Sequence, residues 1–333
     1  MADIKTLLNG VQENIPLAPY TTFKIGGPAR YFYIAKSAED VKKAVGVAKE
    51  LKLLYYIIGN GSNILVSDQG FNGLVIKLQT ANYKLQTNNI VCDSGVILGK
   101  LVNEAIKNGL TGVEWMIGIP GTLGGAIYGN AGAFGHTISE SVESIEALDA
   151  GNLSVKNLSG DKCGFGYRRS IFKPKADHSR ADKEKKYIIL KAVLKLEKGN
   201  EGKSRELVKN YLKKRKSRFP LGPSAGSVFK NPLISENQKA FERLAKKYSE
   251  AERFRVNGKI PAGWLIEEYG LLGKKIGGAM IFKEHGNFIV NAGGATSEDV
   301  IMLICLIKEK IRVNFGIQME EEIQYVGFGE VKS

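Results

Sequence analysis

The sequence predicts an α+β protein of two or three domains, and three observations carry that reading. Helical and extended patterns are mixed without the regular βα alternation of a doubly wound sheet. The chain has 333 residues, 43% hydrophobic and 25% charged, which is ordinary for a globular protein and excludes a disordered chain or a coiled-coil rod. No apolar run approaches the length of about 18 residues that marks a membrane span.

The elements follow in order. Residues 30–34 read as a strand, and Ser37 with Asp40 resembles a capping pair before Val41, Ala44, Val45, Ala48 and Leu51 at helical spacing. The apolar run 54–58 reads as a buried strand that stops at Gly59-Asn60-Gly61-Ser62-Asn63, and strands are expected again at 64–66 and 74–78. A strand is expected near 88–98 and a helix over 99–108, closed by Gly109. Residues 142–148 and 187–197 read as strands, and the polar stretch 174–186 as an exposed loop. A helix starting at Ser204 would bury Leu207, Val208, Tyr211 and Leu212 on one face. Helical patterns also cover 234–250 and 297–314, Gly316 ends the latter, and 317–326 reads as the last strand. The domains expected are 1–79, 80–203 and 204–333.

Charge and cysteine bound the function. The net charge is +14, and 19 Lys/Arg against 6 Asp/Glu between Arg168 and Arg218 account for thirteen of those charges. Such a segment fits nucleic acid or steering of anionic ligands. RNA binding lacks an RRM, KH or OB signature and aromatic interleaving. Cys92, Cys163 and Cys305 lie far apart in no metal-ligand spacing, and the N-terminus shows no signal-peptide pattern, so a cytoplasmic protein without a metal is expected. His136, His178 and His285 are read as structural or surface residues.

Several segments carry chemistry. Glycine clusters let backbone N–H groups approach phosphate and turn at positive φ. Two occur here, Gly59 to Asn63 and Gly118-Ile119-Pro120-Gly121-Thr122-Leu-Gly124-Gly125. Each alone is equally a structural turn; together they favour a dinucleotide diphosphate, although neither fits the Rossmann or P-loop pattern. Arg168 after Tyr167 is suited to a carboxylate or enolate, or is a surface arginine. Ser227, after Gly226, could present a hydroxyl, with no Gly-x-Ser-x-Gly and no evident Asp/His partner. In a strand over 317–326, Glu320 and Glu322 share one face and Glu321 the other, unless the run is simply solvated.

These segments together resemble the UDP-N-acetylenolpyruvoylglucosamine reductase family. The matching stretches are Asn14 to Ala29, Gly59 to Leu65, Gly118 to Gly125, Tyr167-Arg168, Ser224 to Pro232, Ala262 to Ile266, His285 to Asn291 and Glu320 to Val326, in order along nearly the whole chain. The resemblance implies a two-part FAD-binding module of the vanillyl-alcohol-oxidase type followed by an α+β substrate-binding domain. It implies non-covalent FAD, cofactor-binding residues in the two glycine loops, and NADPH as hydride donor. The substrate is the enolpyruvyl ether of UDP-N-acetylglucosamine, reduced to UDP-N-acetylmuramate for peptidoglycan by hydride at C3 and a proton at C2. The resemblance assigns Arg168 and Glu322 to the enolate-like charge, Ser227 to the proton, and Tyr167, Lys230 and Asn231 to the substrate side. Lys230 or a water is expected to assist Ser227. A tyrosine loop found in one branch has no obvious counterpart at Lys198 to Lys203, whereas 233–260 is long as in that branch, so no tyrosine clamp is assigned. The partner expected is a small molecule, with no nucleic acid or membrane, acting on a monomer. Neutralising Lys213, Lys214, Arg215 and Lys216 is expected to raise KM at low salt. The rival readings are an oxidase of the same fold with covalent flavin, and an RNA-binding protein.

Overall fold

The computed structural model describes residues 3–173 and 186–329. The loop expected at 174–186 lies outside the described residues except for its last position. Two capped units and a third helical unit meet around one cleft.

In the first unit a sheet runs in the order Gln12–Pro16, Pro28–Ala35, Phe71–Leu78, Tyr55–Ile58, antiparallel at the first pair and parallel at the others. Helix Ala38–Glu50 crosses over between the second and fourth of these. Ser37 Oγ accepts from Asp40 N at 3.1 Å and Asp40 Oδ2 from Ser37 N at 3.0 Å, the reciprocal cap that the sequence shows. Val41, Ala44, Val45 and Ala48 pack on Leu74 and Ile76, whereas Phe32, Tyr56 and Val75 form the core on the other face. Strand alternation thus gives this sheet two apolar faces.

The second unit is a five-stranded antiparallel sheet, in the order Val155–Ser159, Val142–Asp149, Tyr187–Lys195, Asn89–Asp93, Tyr83–Gln86. Helices Leu98–Lys107 and Leu123–Tyr128 contribute to its core. The helix expected from Ser204 begins at Glu201, because Asn200 Oδ1 accepts from Lys203 N at 3.0 Å. Ser204 is buried instead, its hydroxyl donating to Glu114 Oε1 at 2.6 Å. Val208 and Tyr211 pack on the second core, but Leu207 and Leu212 are exposed, so the four do not form one buried face. This helix, Glu201–Lys216, spans the expected boundary at residue 204 and packs on the second unit.

The third unit holds an antiparallel sheet, Ser224–Ser227, Phe288–Asn291, Ala279–Ile281, Lys275–Ile276. Helix Ser297–Phe315 buries Val300, Leu303, Ile304, Ile307 and Ile311 and ends at Gly316 with φ +68. Two expectations change here. The helix expected over 234–250 is broken into a 3₁₀ turn Ile234–Glu236, helix Gln238–Lys247 and a 3₁₀ segment Ser249–Asn257. Asn237 causes the first break, its Nδ2 donating to Leu233 O at 2.9 Å with φ −127. The strand expected over 317–326 is regular only at Gln324–Val326, which pairs in parallel with Ile64–Val66. Before it, the bridge of Phe229 to Glu321 holds the chain: Lys230 N donates to Glu320 O at 2.8 Å and Glu322 N to Val228 O at 2.7 Å.

One buried side chain fixes that bridge. Asn287 is 5% exposed. Its Oδ1 accepts from Phe229 N and its Nδ2 donates to Phe229 O, both at 2.9 Å, so the amide replaces a missing strand neighbour. Leaving a buried backbone group unpaired costs about 1–3 kcal/mol. Asn287→Ala is therefore expected to lower stability by about 2–4 kcal/mol, read as a fall in urea midpoint at unchanged m; a loss under about 1 kcal/mol would contradict this role. The thiols give a second prediction. Burial, helped by Asp93, pushes Cys92 up to about 12, and burial pushes Cys163 to about 11, while Cys305 is exposed. Thiolate is the reactive form, so at pH 8 a disulfide reagent should label one thiol in the native protein and three after unfolding.

Candidate active site

A cleft of about 880 Å³ lies where the three units meet. All the residues expected of the two glycine loops, Gly59 to Asn63 and Gly118 to Gly125 apart from Leu123, line it, as do Arg168, Ser227 and Glu322.

The loops are built to touch. A Cβ on Gly59 would lie 2.5 Å from Thr122 Oγ1, so only glycine allows this approach. Gly61 stands at φ +60, where a Cβ would meet Tyr20 O at 2.3 Å. Asn60 Nδ2 donates to Pro120 O at 2.7 Å and ties one loop to the other, and Lys77 Nζ donates to Gly59 O. Among the described residues, the backbone N–H groups of 60–63, Gly121 and Thr122 donate to no protein acceptor. Donors gathered in this way suit an anion such as a diphosphate.

Arg168 comes from the second unit. Gly166 and Arg169 close a turn with two backbone hydrogen bonds, Gly166 N to Arg169 O at 3.0 Å and Arg169 N to Gly166 O at 3.1 Å. Arg168 sits inside that turn at φ +53, a conformation that favours glycine and costs a side-chain-bearing residue roughly 1–2 kcal/mol. Its Nη2 donates to Gly132 O at 3.2 Å, and its Nε lies 2.8 Å from Glu322 Oε1 as an ion pair bent out of hydrogen-bond alignment. Two walls of the cleft therefore meet at this pair.

Glu322 comes from the chain end that Asn287 and the Phe229 bridge hold. Alternation along 320–322 survives without a full strand. Glu320 takes Lys230 Nζ, Glu322 faces Arg168, and Glu321 turns away to Lys308 at 2.9 Å. Asn63 Nδ2 donates to Glu322 O at 3.3 Å and Gln324 N to Asn63 O at 3.0 Å, so this segment is also joined to the first glycine loop. Ser227 ends a short strand with an irregular register between Ser224 and Ser227, and Gly226 stands there at φ +78. The irregularity turns the end of the strand into the cleft.

Three predicted residues lie behind the cleft wall. Tyr167 Oη accepts from Asn231 N at 3.0 Å, and Asn231 Oδ1 accepts from Ala262 N at 3.0 Å. Lys259 Nζ stands 4.0 Å from the Tyr167 ring centre. Together they brace the turn that carries Arg168. Lys230, expected to assist Ser227, is engaged by Glu320 and does not line the cleft.

Sequence reasoning missed four cations that do line it, of which Lys24 is exposed and donates to Pro19 O at 3.0 Å. Lys77 on strand Phe71–Leu78 and Lys173 beyond the Arg168 turn are both drawn below the usual lysine range by burial. Arg215, counted with a basic rim, differs from its neighbours. Lys213, Lys214 and Lys216 are exposed, while Arg215 lies 5.0 Å from the Phe134 ring and 5.4 Å from that of Phe219, and burial lowers it to about 10, still a cation at neutral pH. For Lys173 the signal was the apolar pair Ile171-Phe172 just before it, which marks an anchored turn rather than a loop.

Comparison with known proteins gives the same architecture a family. Residues 216–326 match the model of the C-terminal domain of UDP-N-acetylenolpyruvoylglucosamine reductase, and residues 29–155 match that of an FAD binding domain. The chain is 36% identical over 318 residues to the UDP-N-acetylenolpyruvoylglucosamine reductase of Solibacter usitatus, covering 95% of this chain and 97% of that relative. It is 36% identical over 326 residues to the corresponding protein of Carboxydothermus hydrogenoformans, covering 97% and 96%. The crystal structure of the reductase from Thermus caldophilus superposes with a TM-score of 0.73 at 30% identity, over 94% of this chain and 98% of that one. With that likeness running through both glycine loops and the Arg168–Glu322 junction, the chain belongs to the UDP-N-acetylenolpyruvoylglucosamine reductase family.

Proposed function

We propose that this protein reduces the enolpyruvyl ether of UDP-N-acetylglucosamine to UDP-N-acetylmuramate with NADPH, using non-covalent FAD, in the cytoplasmic supply of peptidoglycan precursors. The observation that carries the proposal is the meeting of Arg168, Glu322 and Ser227 on the wall of a cleft also lined by two diphosphate-type glycine loops.

The residues present fit FAD. The unpaired N–H groups of 60–63, Gly121 and Thr122 match the acceptors of its diphosphate. No histidine or cysteine among the described residues lines the cleft, which supports a cofactor held without a covalent bond rather than the oxidase reading. When bound, FAD accepts hydride from NADPH and supplies it to C3 of the enolpyruvyl group.

The chain's own residues do the rest. Hydride addition moves negative charge onto the substrate carboxylate. The Arg168 guanidinium, already fixed by Gly132 and Glu322, meets that charge with little reorganisation. Removing one such preorganised donor costs about 10²–10³ in rate. Ser227 holds the proton destined for C2, at the end of a strand that pairs with Phe288–Asn291. Tyr167 and Asn231 position the Arg168 turn rather than line the cleft. Three free cysteines are in keeping with the cytoplasm.

The purified protein should be yellow, lose its flavin absorbance with NADPH under anaerobic conditions, and regain it when the enolpyruvyl ether is added. Recovery no faster than with UDP-N-acetylglucosamine would overturn the substrate assignment. Ser227→Ala should bleach with NADPH at the wild-type rate and recover about 10²- to 10⁴-fold more slowly; unchanged recovery would remove Ser227 as the proton source.

A further inference from the structure

Lys173 is a cation without an assigned task. Its place is fixed by a turn: Lys173 N donates to Ser170 O at 3.2 Å, Ser170 Oγ donates to Tyr128 O at 2.7 Å, and Phe172 N donates back to Ser170 Oγ at 3.3 Å. Phe172 is buried at 1% exposure, and Ile171 N donates to Cys163 O at 2.9 Å. The turn is therefore anchored through the three residues that precede Lys173, and Lys173 lines the cleft.

The charges around it do not balance. Lys173 lies in the fields of Lys230, Glu322, Glu320 and Arg168. The two carboxylates already have partners, Glu322 with Arg168 and Glu320 with Lys230. Among the described residues, the Lys173 ammonium has no ion pair and no hydrogen bond. Three cations thus share two carboxylates in and behind the cleft wall, and the unmatched positive charge is the one that burial makes costly. Burial is the main cause that draws Lys173 below the usual lysine range, and the neighbouring cations Lys230 and Arg168 add to it. A single bound anion would relieve both effects.

We propose that Lys173 is a substrate-binding and specificity residue that takes the carboxylate of the enolpyruvyl group, beside Arg168. The proposal deepens the functional reading above and rests on it. Arg168 is partly committed to Glu322 and to Gly132 O. An incoming carboxylate therefore needs a second donor, and Lys173 is, among the described residues, an unpaired cation that lines the same cleft within the field of Arg168. It separates ligands by one group: the enolpyruvyl ether carries the carboxylate, whereas UDP-N-acetylglucosamine shares the nucleotide, diphosphate and sugar but lacks it.

The test measures affinity of the oxidised holoprotein for both ligands by calorimetry. Wild type should prefer the enolpyruvyl ether. Lys173→Met should weaken that ligand about 10- to 100-fold and leave UDP-N-acetylglucosamine unchanged. Lys173→Arg, which keeps the charge, should restore most of the preference. A merely structural role would weaken both ligands together, and that outcome overturns the proposal, as does a Lys173→Met protein that keeps the wild-type preference. Wild type that binds both ligands equally would overturn the functional reading, and the assignment of Lys173 with it. Far-UV circular dichroism and flavin content of each variant, equal to wild type, exclude misfolding as the cause of a loss.

Discussion

The ion pair of Arg168 with Glu322 is the constraint on which the site depends, because its two members come from beside two separate hydrophobic cores. Arg168 is delivered by a strained turn of the second unit and Glu322 by the chain end of the third. Neither side chain defines a site alone. Their meeting joins two walls of the cleft and sets a guanidinium on its lining. The strain at Arg168 is held by the structure around it, Gly132 O on one side and the brace of Tyr167, Asn231 and Lys259 on the other.

The three cores are sewn together by backbone contacts at that same place. The last strand, Gln324–Val326, leaves the third unit and pairs with Ile64–Val66 just after the first glycine loop. Thr22 Oγ1 donates to Ser224 O at 2.7 Å across the same junction. A shift of the third unit would therefore move Ser227, Glu322 and the first glycine loop together. Fixed geometry of this kind lets dipoles and charges stabilise a developing charge without rearranging first.

Local pattern made much of this legible. The capping box at Ser37, the helix end at Gly316 and both glycine loops follow from side chains that act on their own backbone. Failures came where a distant contact decides. Glu320 and Glu322 were expected to share a face through a regular strand; they do share it, but through a bridge to Phe229 that Asn287 completes from 58 positions further along the chain. The packing of helix Glu201–Lys216 is not legible locally either: only the contacts of Val208 and Tyr211 show which core it covers. Tyr167 and Asn231 carry the family's motif yet support the wall rather than line it. Arg215 and Lys173 were hidden within a run of like charges, since composition cannot tell a side chain turned inward from one in solvent.

That run also changes meaning. Thirteen of the fourteen net positive charges fall between Arg168 and Arg218, and the segment includes both the solvent-facing Lys213, Lys214 and Lys216 and the inward Arg168, Lys173 and Arg215. The outer charges attract anions at long range and are screened by salt. The inner ones line the cleft. The central claim, that Arg168 and Glu322 act as one unit, is tested most directly by a double-mutant cycle on the rate at which the enolpyruvyl ether reoxidises the reduced flavin. The account predicts that Arg168→Met with Glu322→Gln is no slower than the slower single variant, as for groups that work through each other. Losses that multiply in the double variant would contradict it.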